Sequence, residues 1–142
     1  MPLVRISLQA GEPASYRAAI SDQVYGAMRE TLNIPDGDRF HVITEHSPGQ
    51  LIADPNFMGM DRSNDGFVLV QIFLSRGRTT QIKQALYRRI VEKLAISPGI
   101  RPDDVMITLT EVGLDDWSFG RGEAQYVLHP PDWAVKKEKI HA

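Results

Sequence analysis

Three places in this chain carry side chains or backbone groups suited to chemistry: Pro2, Asp38 and the triplet Arg76-Gly77-Arg78. Proline follows the initiator methionine, and methionine is generally removed before a small residue such as proline. The Pro2 nitrogen is then a secondary amine, more basic than an ordinary α-amino group, which titrates near ~8. Burial or nearby cations would bring it down toward neutrality and make it a base. Neighbouring carboxylates would keep it protonated and make it an acid. A third reading, in which Pro2 follows Met1 without any role, also stands. With Met1 retained, the nitrogen is an amide and can do neither.

Arg76 and Arg78 lie two apart at the end of an apolar run, so on a strand they point to the same side. Two guanidiniums there could converge on one anion, and the arginine fork suits a carboxylate because it donates two parallel hydrogen bonds. Gly77 between them leaves room for a ligand. A solvated strand end is the other reading. Asp38, with Asp36 close by, precedes a second apolar run and either faces Pro2 or opens a turn. His41, His46, His129 and His141 show no metal-ligand spacing, so no metal site is expected. Neither a glycine-rich phosphate loop nor a serine nucleophile elbow is present.

The elements that must position these residues are written twice, at an offset of 66. Leu3-Val4 matches Leu69-Val70, Ile6 matches Ile72 and Leu8 matches Leu74. Ile20, Val24 and Met28 then align with Leu86, Ile90 and Leu94. The frame continues without a gap through Ile34 and Ile100, Asp38 and Asp104, Thr44 and Thr110, and Glu45 and Glu111. Each copy predicts strand, helix, strand, over about 2–46 and 66–112. Pro2 to Gln9 and Gly66 to Ser75 are short runs rich in β-branched residues. Tyr16, Ile20, Val24, Met28 and Leu32 form one helical stripe; Ile82, Leu86, Ile90 and Leu94 form the other. Thr79 and Thr80 offer caps to the second helix, and Pro98-Gly99 stops it. Closing strands are expected over Arg39 to Glu45 and Val105 to Val112.

Two such units with right-handed crossovers give one four-stranded sheet with both helices on one face, an α/β (α+β) architecture. No third long helix is available for the other face, which predicts a homo-oligomer. Residues 1–127 are read as a single domain and 128–142 as a C-terminal arm with Trp133 as its main anchor. The loop from His46 to Asp65 is long enough to cover a site or contact a partner. Asp116 to Gly122 is read as a turn-rich segment that could form a hairpin.

Composition narrows the function. The 142 residues are 42% hydrophobic and 24% charged, enough for one packed domain. A net charge of -2 argues against a nucleic-acid binder driven by phosphate neutralisation. No apolar run approaches the ~18 residues that cross a bilayer, and no secretion signal is evident, so a cytoplasmic protein is expected. The absence of cysteine excludes disulfides, thiolate metal sites and cysteine nucleophiles.

Taken together the chain resembles the tautomerase superfamily and, within it, the branch of malonate semialdehyde decarboxylase and its close relatives. The resemblance runs from about Pro2 to Tyr126. It is carried by the Met-Pro-Leu start, Asp38-Arg39-Phe40, His46-Ser47-Pro48-Gly49, Arg76-Gly77-Arg78 and Asp116-Trp117-Ser118-Phe119-Gly120. It implies the tandem β-α-β tautomerase-type fold as a homotrimer, with Pro2 as the central catalytic group. It further implies that Arg76 and Arg78 bind a small carboxylate substrate and that Asp38 acts on Pro2 or water. Trp117 and Phe119 would form an apolar wall, and no cofactor would be needed. The implied activity is decarboxylation of a 3-oxo acid. Alternatives are keto-enol tautomerisation of 2-oxo acids of the phenylpyruvate type, and hydration or dehalogenation of unsaturated acids. A trimeric binding or scaffold protein is the non-enzyme alternative. The loop around Phe57 to Arg62 is where specificity would be set.

Overall fold

The computed structural model describes residues 2–134, so the last part of the 128–142 arm lies outside the described residues. The two copies fold as written. Strand β1 (Leu3–Gln9), helix α1 (Ala14–Leu32) and strand β2 (His41–His46) form the first. Strand β3 (Val68–Ser75), helix α2 (Thr80–Ile96) and strand β4 (Val105–Val112) form the second. Thr79 caps α2 by accepting from the Ile82 amide at 3.2 Å, satisfying one of the donors that a helix start leaves open. Helix α1 ends on Asn33 in the left-handed region, where asparagine is tolerated.

The sheet order is β2-β1-β3-β4, with β1 and β3 antiparallel at the centre. Each outer strand runs parallel to the inner strand of its own copy. In the central pair Val4 faces Ile72, Ile6 faces Val70 and Leu8 faces Val68, which puts all six on one side of the sheet. That side buries them against Ile20, Val24, Met28, Leu86, Ile90 and Leu94. Alternation along the strands leaves Leu3, Arg5, Leu69, Gln71 and Phe73 on the other face, with Val42 and Met106 beside them. Val42 is 47% and Met106 49% exposed, so this apolar-patched face is open within one chain. Among the described residues no helix is long and apolar enough to cross a membrane.

The topology collects four strand ends. Because β3 opposes β1, the starts of β1 and β2 and the finishes of β3 and β4 all lie at one end of the sheet. The opposite end gathers Gln9, His46, Val68 and Val105.

The segment after β4 is a correction to the sequence reading. Asp116 to Gly122 forms no hairpin; a single turn of 3-10 helix spans Leu114–Asp116, and a short helix α3 follows at Gln125–Leu128. The reason is local hydrogen bonding. Asp116 accepts from the Gly113 amide at 2.7 Å, closing the turn. The Gln125 side-chain amide accepts from the Phe119 amide at 2.9 Å and donates to the Gly120 carbonyl at 2.8 Å. These bonds occupy backbone groups that a hairpin ladder would have paired.

Candidate active site

At the collected strand ends lies a cavity of about 580 Å³, walled by Asp38, Arg76, Gly77, Arg78 and Tyr126 among others. Pro2 is buried at the opening of β1, next to this end of the sheet. The Val4 amide bonds to the Phe40 carbonyl at 2.9 Å, which ties the start of β1 to the residues following Asp38. Burial raises the Asp38 carboxyl above its usual range, and the positive amino terminus opposes that rise.

The arginines are placed by the end of β3. The Arg76 amide bonds to the Val112 carbonyl at 3.0 Å, extending the β3–β4 ladder by one step. Gly77 then takes φ 125°, a conformation open to glycine and strained for other residues. This turn lets Arg78 fold back, and its Nη1 donates to the Ser75 carbonyl at 2.7 Å. Burial lowers the Arg78 pKa, opposed by the charges of Glu111 and Tyr126, yet a guanidinium stays cationic at neutral pH. Glu111 is held below the usual carboxylate range by its hydrogen bond from Lys83, helped by the Gly77 backbone and by Arg76. It is thus an ionised anchor beneath the turn.

Within one chain Trp117 and Phe119 are not among the residues that line this cavity. The Trp117 indole donates to Ser75 Oγ at 3.3 Å, and its ring stacks on Phe119 with centroids 5.7 Å apart. Phe119 meets Tyr126 edge-on at 4.8 Å, and Tyr126 meets Trp133 at 6.2 Å. This row of rings holds Tyr126 in the cavity wall. Burial raises the Tyr126 phenol, with Asp38 raising it further and Arg78 lowering it, so its hydroxyl feels both groups. Sequence reasoning missed Tyr126, because nothing in the residues around it marks a site.

Four of the residues singled out from sequence therefore meet at one end of the sheet: Pro2, Asp38, Arg76 and Arg78. The long loop goes elsewhere. Leu51, Ile52 and Ser63 line a second cavity, of about 420 Å³, together with Gln9 and Phe67 at the opposite end. Within one chain Phe57 to Arg62 do not wall the cavity that holds the arginines. Among the described residues no cluster of three histidine, aspartate or glutamate side chains could hold a metal ion.

Comparison with known proteins agrees with this geometry. Two families described as "Tautomerase enzyme" match the chain, over residues 38–120 and 2–60. A Bacillus subtilis (strain 168) protein named "Probable tautomerase YusQ" is 34% identical over 127 residues, covering 89% of this chain and 99% of its own. A malonate semialdehyde decarboxylase inhibited by 3-bromopropiolate has 40% sequence identity and a TM-score of 0.85, covering 92% of this chain and 98% of that one. A second malonate semialdehyde decarboxylase, solved to explain its decarboxylase and hydratase activities, has 31% identity and a TM-score of 0.82. It covers 89% of this chain and 96% of its own. With family matches at both ends and relatives spanning nine-tenths of its length, this chain belongs to the tautomerase enzyme family.

Proposed function

We propose that this protein is an enzyme that uses the amine of Pro2 on small oxo acids, with decarboxylation of a 3-oxo acid such as malonate semialdehyde as its reaction. The observation that carries the proposal is the cavity in which Asp38, Arg76 and Arg78 converge where β1 begins. Two cations beside one carboxylate suit a substrate that is itself a carboxylate. The likeness to two malonate semialdehyde decarboxylases supports the choice of reaction.

In this reading Arg76 and Arg78 hold the substrate carboxylate, turned out of the plane of the neighbouring carbonyl. The bond between the carboxylate carbon and C2 breaks, carbon dioxide leaves, and the electron pair passes through C2 to the C3 oxygen. Protonated Pro2 donates a hydrogen bond to that developing enolate oxygen, an electrostatic role of the oxyanion-hole type. Its proton then goes to C2, giving the aldehyde, and solvent reprotonates the amine. Asp38 keeps Pro2 protonated. Positioning is supplied by the Gly77 turn, which holds the arginines on one side of the bond that breaks.

A second reading is favoured by the relative that carries the tautomerase name. Neutral Pro2 would then move a proton between carbon and oxygen of a 2-oxo acid and its enol. The same residues serve both reactions, and the protonation state of Pro2 separates them. In either case the open outer face of the sheet supports a homotrimer.

Proton NMR of the Met-processed protein with malonate semialdehyde, beside a Pro2→Ala variant, tests the proposal. Acetaldehyde from wild type alone supports it. Acetaldehyde at equal rates from both proteins removes Pro2 from its central place, and no turnover by either transfers the case to tautomerisation.

A further inference from the structure

We infer that the outer face of the sheet carries an anion site completed by three copies of the chain, in which Arg5 of each copy donates to one tetrahedral oxyanion, such as phosphate, on the threefold axis. The inference stands apart from the chemistry proposed for Pro2 and rests on the homotrimer alone.

Arg5 marks the middle of the sheet. It faces Gln71 across the antiparallel central pair, and Gln71 is also its equivalent at the offset of 66. Two matching residues face each other only where the dyad relating the copies crosses the sheet, so this pair stands at the centre of the outer face. Val42 lies beside Arg5 on β2, and Thr108 beside Gln71 on β4. Arg5 is exposed within one chain.

This face offers it no carboxylate. The two glutamates on the strands, Glu45 and Glu111, register with Leu8 and Leu74 and so belong to the helix side. There Arg17 and Lys83 pair with them. Apart from His46 at the far end, every other outward strand position is apolar, hydroxyl or amide. Among the described residues Arg5 forms no ion pair.

Packing this face about a threefold axis gathers three guanidiniums and takes them from water. An unpaired buried charge is costly, and three of one sign also repel. A tetrahedral oxyanion relieves both. Three of its oxygens share the threefold symmetry and each accepts from one guanidinium, with Gln71 and Thr108 as neutral donors in the same row. Symmetry then fixes one anion per trimer, whereas the cavity of Arg76 and Arg78 occurs once in every chain.

Calorimetric titration with inorganic phosphate, at an ionic strength held by sodium chloride, tests the inference. The background is Arg78→Ala, in which the strand-end cavity has lost half of its cationic pair. Saturation is expected at one phosphate per trimer, and adding Arg5→Gln should abolish it. Phosphate at about ten times its Kd should also hold the trimer about tenfold more tightly against dissociation. No binding, or binding at one phosphate per chain that survives Arg5→Gln, overturns the inference. Arg5→Met keeps the test open where Arg5→Gln fails to assemble. In phosphate-free buffer, light scattering on dilution should find the Arg5→Met trimer at least as persistent as wild type, because three repelling charges are gone. A weaker Arg5→Met trimer means that Arg5 pairs with a carboxylate of a neighbouring copy, and a monomeric wild type leaves no axis. Either result overturns the inference.

Discussion

Asp38 and Asp104 hold matching places in the two copies, 66 residues apart, yet stand at opposite ends of the sheet with opposite tasks. Asp38 opens onto the cavity that carries the arginines. Asp104 is 2% exposed and accepts from the Ser63 amide at 2.7 Å and the Ser63 hydroxyl at 2.6 Å. It pins the long loop to the start of β4. The same position of the repeat thus borders a cavity in the first copy and clamps a loop in the second.

Loss of that clamp should unfold the protein more easily without touching its chemistry. Asp104→Ala leaves the half-buried Ser63 donors without this partner, which costs about 1–2 kcal/mol. A urea titration should show the midpoint lowered, with kcat of the folded fraction unchanged.

Pro2→Ala should lower kcat by about 10²–10⁴, the usual contribution of a positioned acid or base. Circular dichroism should be unchanged, because β1 begins its ladder at Leu3. Intact mass is measured first, since a retained Met1 turns the nitrogen into an amide and sinks the Pro2 mechanism.

Arg78→Ala should raise KM about tenfold or more, as a charged pair to the substrate is lost. Arg78→Lys should recover only part, because an ammonium cannot donate two parallel hydrogen bonds. Equal KM values across the three proteins would remove Arg78 from substrate binding.

His41 should make the fold acid-sensitive. Its Nδ1 lies 2.7 Å from Ser21 Oγ, and its Nε2 is buried with no partner among the described residues. Burial, helped by Arg39 and opposed by Asp22, pushes its pKa down to about 4. The unfolded chain binds a proton near ~6.5 while the folded one does not. Stability is therefore complete above that pH and falls as pH drops toward about 4. The loss is ~1–2 kcal/mol once residual contact with solvent is allowed for. Thermal melts at pH 7 and pH 4.5 should show it, and His41→Gln should flatten the difference.

The outer sheet face gives the remaining test. Met106→Glu places a charge beside Leu69 on this outer face, and light scattering should then report a monomer where wild type gives a trimer. A monomeric wild type would refute the homotrimer.

Periodicity made the fold legible. Two-residue alternation placed β1 and β3, and stripes four residues apart placed both helices. The repeat frame even carries an ion pair that single residues did not advertise, since Arg17–Glu45 and Lys83–Glu111 occupy equivalent positions. The segment after β4 was not legible, because Gln125 decides its shape through side-chain bonds that leave no periodic trace. Tyr126 and Trp133 escaped for a related reason. Their neighbours in space, Asp38 and Arg78, are distant in sequence and come near only when four strand ends are gathered.

The antiparallel placement of β1 and β3 has a consequence for stoichiometry. Val68 holds in the second copy the place that Pro2 holds in the first, at the mirror-image end of the sheet. Joining the copies through the 46–65 loop makes the Val68 nitrogen a peptide amide, without a titratable proton at neutral pH. However symmetric the scaffold, each chain can offer one strand-opening amine, so a reagent that captures such amines should saturate at a single equivalent per polypeptide.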